Sequence, residues 1–90
     1  MKAFHAIVEG EVQGVGFRYS AAREARAIGL CGWVRNAEDG TVEVWAQGDP
    51  ANLDLFIDWL WQGPSAASVR DVRLSWENPI QSYNSFGVVF

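Results

Sequence analysis

The hydrophobic period switches between two and about 3.6 along the chain, and the order of those switches restricts the fold more than any other feature. In residues 3–12, Phe4, Ala6, Val8, Gly10 and Val12 share one face and His5, Ile7, Glu9 and Glu11 the other, which predicts a strand. Residues 18–28 place Ala21, Ala22, Ala25 and Ile28 at helical spacing, and Gly29 supplies a left-handed stop. Leu30 to Asn36 and Thr41 to Gln47 are apolar and β-branched. They flank Ala37-Glu38-Asp39-Gly40, a short segment ending in Asp-Gly that suits an antiparallel hairpin. Asp49-Pro50 reads as a capping carboxylate followed by proline at the first helical position. Leu53, Phe56, Ile57 and Leu60 then mark a second helix that ends at Gly63-Pro64. Val69 to Glu77 alternates again through Val72, Leu74 and Trp76, and Ser85 to Phe90 suits a short edge strand.

The order β-α-β-β-α-β predicts an α+β, ferredoxin-like sandwich, in which two crossover helices cover one face of an antiparallel sheet. Ninety residues suit one domain, residues 1–90. An apolar share of 49% with five Trp and five Phe is far from the composition of a disordered chain, so a packed core is expected. Helix and strand spacing assigns most of Trp33, Trp45, Trp59, Trp61 and Trp76 to packing, with Trp61 the most exposed. Such a fold hosts many activities, so function has to be read from a site.

Charge and reactive residues remove several classes. Seven basic against eleven acidic side chains give a net charge of -4, a poor match to nucleic acid. The balance is uneven: Lys2, Arg18, Arg23, Arg26 and Arg35 precede residue 37, and only Arg70 and Arg73 follow it, so an anion site belongs in the first half. A single Cys31 excludes an intramolecular disulfide and any multi-cysteine metal site, and reads as a small buried hydrophobe. His5 reads as a surface or sheet-edge residue, and Arg23, Glu24 and Arg26 as the solvated face of the first helix. The N-terminal residues break their apolar character at His5 and Glu9, so neither a leader peptide nor a membrane span is expected there, and the cytoplasm is the default location.

The first strand and first helix are joined by Gly10-Glu11-Val12-Gln13-Gly14-Val15-Gly16-Phe17-Arg18. Glycines at this density permit positive φ, so consecutive N–H groups can converge on one concavity at a helix N-terminus, where the partial positive charge favours an anion. Arg18 adds a planar fork suited to phosphate oxygens. The segment lacks the Gly-Lys-Ser/Thr ending of a Walker loop and the third glycine of a dinucleotide fingerprint. On these residues alone two readings stand: an anion cradle, or a tight turn with Arg18 solvated. Asn36, taken alone, reads first as a residue that opens the hairpin.

Taken together, Gly-x-Val-Gln-Gly-Val-x-Phe-Arg at 10–18 and Gly-Trp-Val-x-Asn-x-x-Asp-Gly at 32–40 closely resemble the acylphosphatase family. Val42-Glu43-Val44, Gly48 and Gly63-Pro64 extend the resemblance through most of the chain. It implies hydrolysis of small acyl phosphates to carboxylate and inorganic phosphate by in-line attack of water, with no metal and no organic cofactor. Matched by motif, Arg18 is the phosphate-holding arginine and Asn36 the water-positioning asparagine. The backbone of Gln13, Gly14, Val15, Gly16 and Phe17 forms the phosphate loop. Two positions depart from the pattern: Glu11 stands where relatives often carry arginine, and Ala37 where some carry a hydroxyl that can support the asparagine.

The runner-up keeps the same cradle as a non-catalytic module for phosphate or carbamoyl phosphate; a related case is the acylphosphatase-like domain of hydrogenase-maturation carbamoyltransferases, which handles carbamoyl phosphate. A ferredoxin-like RNA-binding domain is disfavoured by the acidic balance and the missing Lys/Arg-Gly-Phe motif. The expected partner is therefore a small acyl phosphate, with no nucleic acid and no membrane. Monomer is the default, although the Phe-Gly-Val-Val-Phe strand could pair within the sheet or offer an edge to another chain.

Overall fold

A computed structural model, which describes residues 1–79 and 81–90, has the expected order of elements. They are β1 (Lys2–Glu11), α1 (Phe17–Ala27), β2 (Cys31–Asn36), β3 (Val42–Gly48), α2 (Pro50–Gln62), β4 (Ser68–Glu77) and β5 (Phe86–Val89). The strands form one sheet in the order β4-β1-β3-β2-β5. Both helices cover the same face, so the fold is the ferredoxin-like α+β sandwich.

One feature differs from an all-antiparallel sheet. β1–β4, β1–β3 and β2–β3 are antiparallel, whereas β5 runs parallel to β2, with Gly32 opposite Phe86 and Arg35 opposite Val89. The reason is topological. β4 ends at one edge of the sheet, and the chain must cross the end of the sheet to reach the other edge. It therefore re-enters against the direction of β4, which is the direction of β2.

The core follows from the period-two face of β1. Phe4, Ala6 and Val8 meet Val34, Val42, Val44 and Ala46 from the neighbouring strands, and Phe17, Ala21, Ala22, Ala25, Leu53, Phe56 and Leu60 cover them from the helices. The alanines of α1 let that helix sit close to the sheet. Phe56 is the junction of the two halves, 6.2 Å from the Phe4 ring and 5.6 Å from that of Phe86. The helix ends are set locally. The Asp49 carboxylate accepts from the Ala51 amide at 3.0 Å, with Pro50 opening α2. After α1, the Leu30 amide donates back to the Ala25 carbonyl at 2.9 Å, through Gly29 at φ 78°.

The opposite sheet face is open to solvent but not featureless. Trp33 faces Trp45 across β2 and β3, both half-buried, while Trp59 packs on Phe17 and Phe56. Trp76 is as exposed as Trp61, 46% against 48%, because β4 is an edge strand; its ring still meets Phe4 edge-on. Cys31 is half-buried rather than buried, since it shares the outward parity of Trp33 while Gly32 and Val34 point in. On the same open face His5 and Arg35 both contact the Glu43 carboxylate. Burial pushes the Glu43 carboxyl up, and the hydrogen bonds from His5 and Arg35 outweigh it, leaving it below the ordinary value of 4.5.

A carboxyl depressed in the folded state stabilises the fold above its unfolded value and loses that contribution as pH falls through its folded value. The denaturation midpoint should therefore fall as the pH drops below about 4.5, and Glu43→Gln should flatten that fall. Asp39 is shifted the same way by its hydrogen bonds to Thr41, so the readout is the difference between parent and variant. Identical acid profiles for the two proteins would refute the role given to Glu43.

Candidate functional site

Beyond β1 the chain turns through residues 12–16 with the Val12 side chain buried as an anchor. Gly14 and Gly16 both adopt left-handed backbone, φ 74° and 76°, and neither has an atom within 4 Å of where a Cβ would stand. Conformation, not space, is what requires glycine at these two positions. Gly16 is also the residue that caps α1; no side chain caps the helix, and its first turn contains no acid. The first-turn N–H groups therefore have no side-chain acceptor and present their positive end to the loop.

A concavity of about 210 Å³ lies at this helix end, lined by Val12, Gly14, Gly16, Phe17, Arg18, Tyr19 and Asn36. The fold thus brings the two motifs, 10–18 and 32–40, onto one site. Of the residues expected there, Gly14, Gly16, Phe17, Arg18 and Asn36 line it together, whereas the Gln13 and Val15 side chains turn elsewhere. Val15 packs against the core. The Gln13 amide reaches the hairpin, donating to the Ala37 carbonyl at 2.7 Å and the Thr41 carbonyl at 2.8 Å.

Asn36 closes β2, and its Oδ1 is buried with no hydrogen-bond donor among the described residues. A buried acceptor left in this state costs about 1–3 kcal/mol, which sets this atom apart from the paired polar groups around it. Arg18 is half-buried, with its guanidinium carbon 4.8 Å from the Phe90 ring centroid and Nη1 making a long contact of 3.4 Å to the Val89 carbonyl. The last two residues thus contact Arg18.

Carboxylates are kept away from this concavity. Glu9 is paired with Arg73 at 2.9 Å. Asp39 accepts from the Thr41 amide at 3.1 Å and hydroxyl at 2.6 Å, which holds its carboxyl below the usual range. Glu11 and Glu38 are exposed, and neither lines the site. The Glu11 departure therefore puts no carboxylate in the concavity. The Gln13 bridge, the Tyr19 wall and the Arg18–Phe90 contact join segments distant in sequence, and residue spacing does not reveal them. A polar amide in a loop otherwise of glycine and valine was the only local signal, and it pointed to Gln13 alone.

Comparison with known proteins agrees with this geometry. The sequence profile of the acylphosphatase family matches residues 4–88. An acylphosphatase from Thermococcus kodakarensis is 49% identical over 85 residues, covering 94% of this chain and 92% of its own. One from a Roseiflexus species is 40% identical over 90 residues, covering 100% and 97%. The crystal structure of acylphosphatase from Bacillus subtilis superimposes with a TM-score of 0.96 at 36% identity, over 100% of both chains.

Gln13→Leu keeps the side-chain bulk and removes both bridging hydrogen bonds. It should lower stability by about 1–3 kcal/mol and speed amide exchange in residues 13–17 and 37–41 together. Faster exchange confined to one of the two segments would show that the bridge does not couple them.

Proposed function

From the premise that this chain belongs to the acylphosphatase family, hydrolases of small acyl phosphates, we propose how its own residues divide the work. The amides of residues 13–17 and the Arg18 guanidinium hold the phosphoryl group, and Asn36 delivers the attacking water. The observation that carries this reading is the unpartnered Oδ1 of Asn36, a residue that lines the same concavity as Arg18 and the glycine loop.

An acyl phosphate is a mixed anhydride with a carboxylate leaving group, so little is asked of the protein beyond positioning and charge stabilisation. The loop amides, the uncapped start of α1 and Arg18 face the phosphoryl oxygens, where negative charge must be held. Water donates one hydrogen to Asn36 Oδ1, which aims its lone pair at phosphorus. The new O–P bond forms as the P–O bond to the acyl group breaks, and the carboxylate departs with the electron pair. A neutral amide cannot take the water's second proton at pH 7, and no carboxylate lines the concavity. That proton passes to an oxygen of the phosphoryl group itself.

The substrate is a small soluble anion, and the protein acts on it as a cytoplasmic monomer without nucleic acid. Three features support this: the net charge of -4, the single cysteine, and the charged Arg70, Asp71 and Arg73 along the β4 edge, which discourage pairing with another strand. No helix among the described residues is long and apolar enough to cross a membrane. Light scattering after gel filtration checks the oligomeric state, and a dimer mass would reject it.

Hydrolysis of benzoyl phosphate should survive EDTA. Arg18→Gln should mainly raise KM, and Asn36→Ala should lower kcat by about 10²–10³-fold with KM near the parent value. Single replacements of Glu9, Glu11, Glu38 and Asp39 should leave turnover in place; abolished turnover in one that still folds would assign a general base and remove the substrate-assisted route. Ala37→Thr, which adds a hydroxyl beside Asn36, should raise kcat modestly. A folded parent that binds phosphate without turnover would point instead to a binding module.

A further inference from the structure

We infer that Gln13 is a positioning residue for the hydrolysis: its side chain sets the separation between the phosphoryl cradle and the Asn36 amide, and so acts on turnover through Asn36. This rests on the reading of the concavity as the phosphoryl site, and it adds a residue that does not itself line that concavity.

The sheet alone does not fix this separation. The β1–β3 ladder stops at Val8, opposite Val42, and Val42 is also the partner of Asn36. From Glu9 to Glu11 the strand pairs with β4 alone, across an irregularity between Glu9 and Gly10. The backbone thus leaves β3 before it reaches the glycine loop, whereas Asn36 is paired with β3. Among the described residues, both hydrogen bonds that join 12–16 to 36–41 come from the Gln13 amide. Each end of the bridge is next to the site in the chain. Val12 and Gly14 flank Gln13, Asn36 precedes Ala37, and all three of these neighbours line the concavity.

The bridge is also saturated. Its two acceptors are carbonyls, so the Gln13 nitrogen faces them, and each of its hydrogens has one partner, at 2.7 Å and 2.8 Å. Each carbonyl accepts one further bond from within the hairpin, Ala37 from the Gly40 amide at 3.3 Å and Thr41 from the Ala37 amide at 2.9 Å. Both lone pairs of each oxygen are therefore used. The hairpin that receives the bridge is fixed in turn by the Asp39 carboxylate, which accepts from the Thr41 amide and hydroxyl. Gln13 is an exposed residue, yet its amide nitrogen gives neither hydrogen to solvent.

The proposed chemistry makes this separation a matter of rate. The loop amides and Arg18 hold the phosphoryl group, and Asn36 aims the water. Binding draws on the first set alone. In-line attack needs both sets in register, and a displacement of about 1 Å costs on the order of 10²-fold in rate. Loss of the bridge therefore acts on kcat more than on phosphate binding.

The test measures benzoyl phosphate kinetics and inhibition by inorganic phosphate in the parent, Gln13→Leu, Asn36→Ala and the double variant. Gln13→Leu should lower kcat by about 10–10²-fold, with KM and the phosphate inhibition constant near the parent values. With Asn36→Ala already present, the same replacement should lower kcat by less than about threefold, because the group it positions is gone. Gln13→Glu, equal in shape but with an acceptor in place of the donors, should turn over more slowly than Gln13→Leu. Gln13→Met, of similar length, serves if Gln13→Leu does not fold. An equal factor lost in both backgrounds, a loss confined to KM and phosphate affinity, or parent kcat in folded Gln13→Leu would overturn the positioning role and leave the reading of the site in place. Parent kcat in Asn36→Ala would instead sink the role given to Asn36, and that of Gln13 with it.

Discussion

The site is carried by two strands that never touch, and β3 between them is what brings their ends together. β1 and β2 both pair antiparallel with β3 and therefore run in the same direction. Asn36 stands opposite Val42, and Val42 opposite Val8, so β1 and β2 finish at the same end of the sheet. Hydrogen-bond register alone would leave the loop after β1 free to swing. The Gln13 amide removes that freedom by joining the loop to two carbonyls of the hairpin, so glycine cradle and asparagine belong to one frame. Positioning to a fraction of an ångström is the resource a phosphoryl-transfer site would draw on.

Much of this frame was legible in the residues because it is written locally. The alternation of Phe4, Ala6 and Val8 states which face of β1 is buried, and Asp49-Pro50 states where α2 begins. What could not be read there depends on contacts between distant segments. Nothing in Phe-Gly-Val-Val chooses between an antiparallel and a parallel neighbour; the crossing of the chain from one sheet edge to the other decides it. The same crossing brings Val89 and Phe90 to Arg18, which no spacing could reveal. The direction of Glu11 was equally unreadable, because an irregularity between Glu9 and Gly10 interrupts the register against β4 on which strand alternation relies. Arg18 and Asn36 entered through two motifs resembling a family, and the fold then gave them a shared concavity.

Asn36 shows how such a site departs from the logic of the surrounding core. Every buried strand residue around it is apolar or hydrogen-bonded, yet its Oδ1 has neither kind of environment. Ala37 cannot hold the amide with a side-chain hydrogen bond, and its own backbone is engaged with Thr41 and Gln13. The β3 ladder and the Gln13 bridge secure the backbone at this corner while the amide oxygen has no hydrogen-bond donor among the described residues. An unpartnered buried acceptor costs stability, and the proposed role for Asn36 would account for its being kept.

Net charge and local charge tell different stories in this molecule, and the difference bears on what can approach it. The acidic whole disfavours polyanions, whose binding depends on many phosphate contacts spread over a surface. A small anion samples only the field near one helix, where three arginines lack carboxylate partners among the described residues and the helix end adds its own positive potential. Elsewhere three carboxylates are occupied: Glu43 by His5 and Arg35, Glu9 by Arg73, and Asp39 by the hairpin turn. Pairing on the open sheet face thus does more than secure the strands. It keeps these carboxylates with their own partners, so that an acidic protein can present a basic corner to a small anionic substrate.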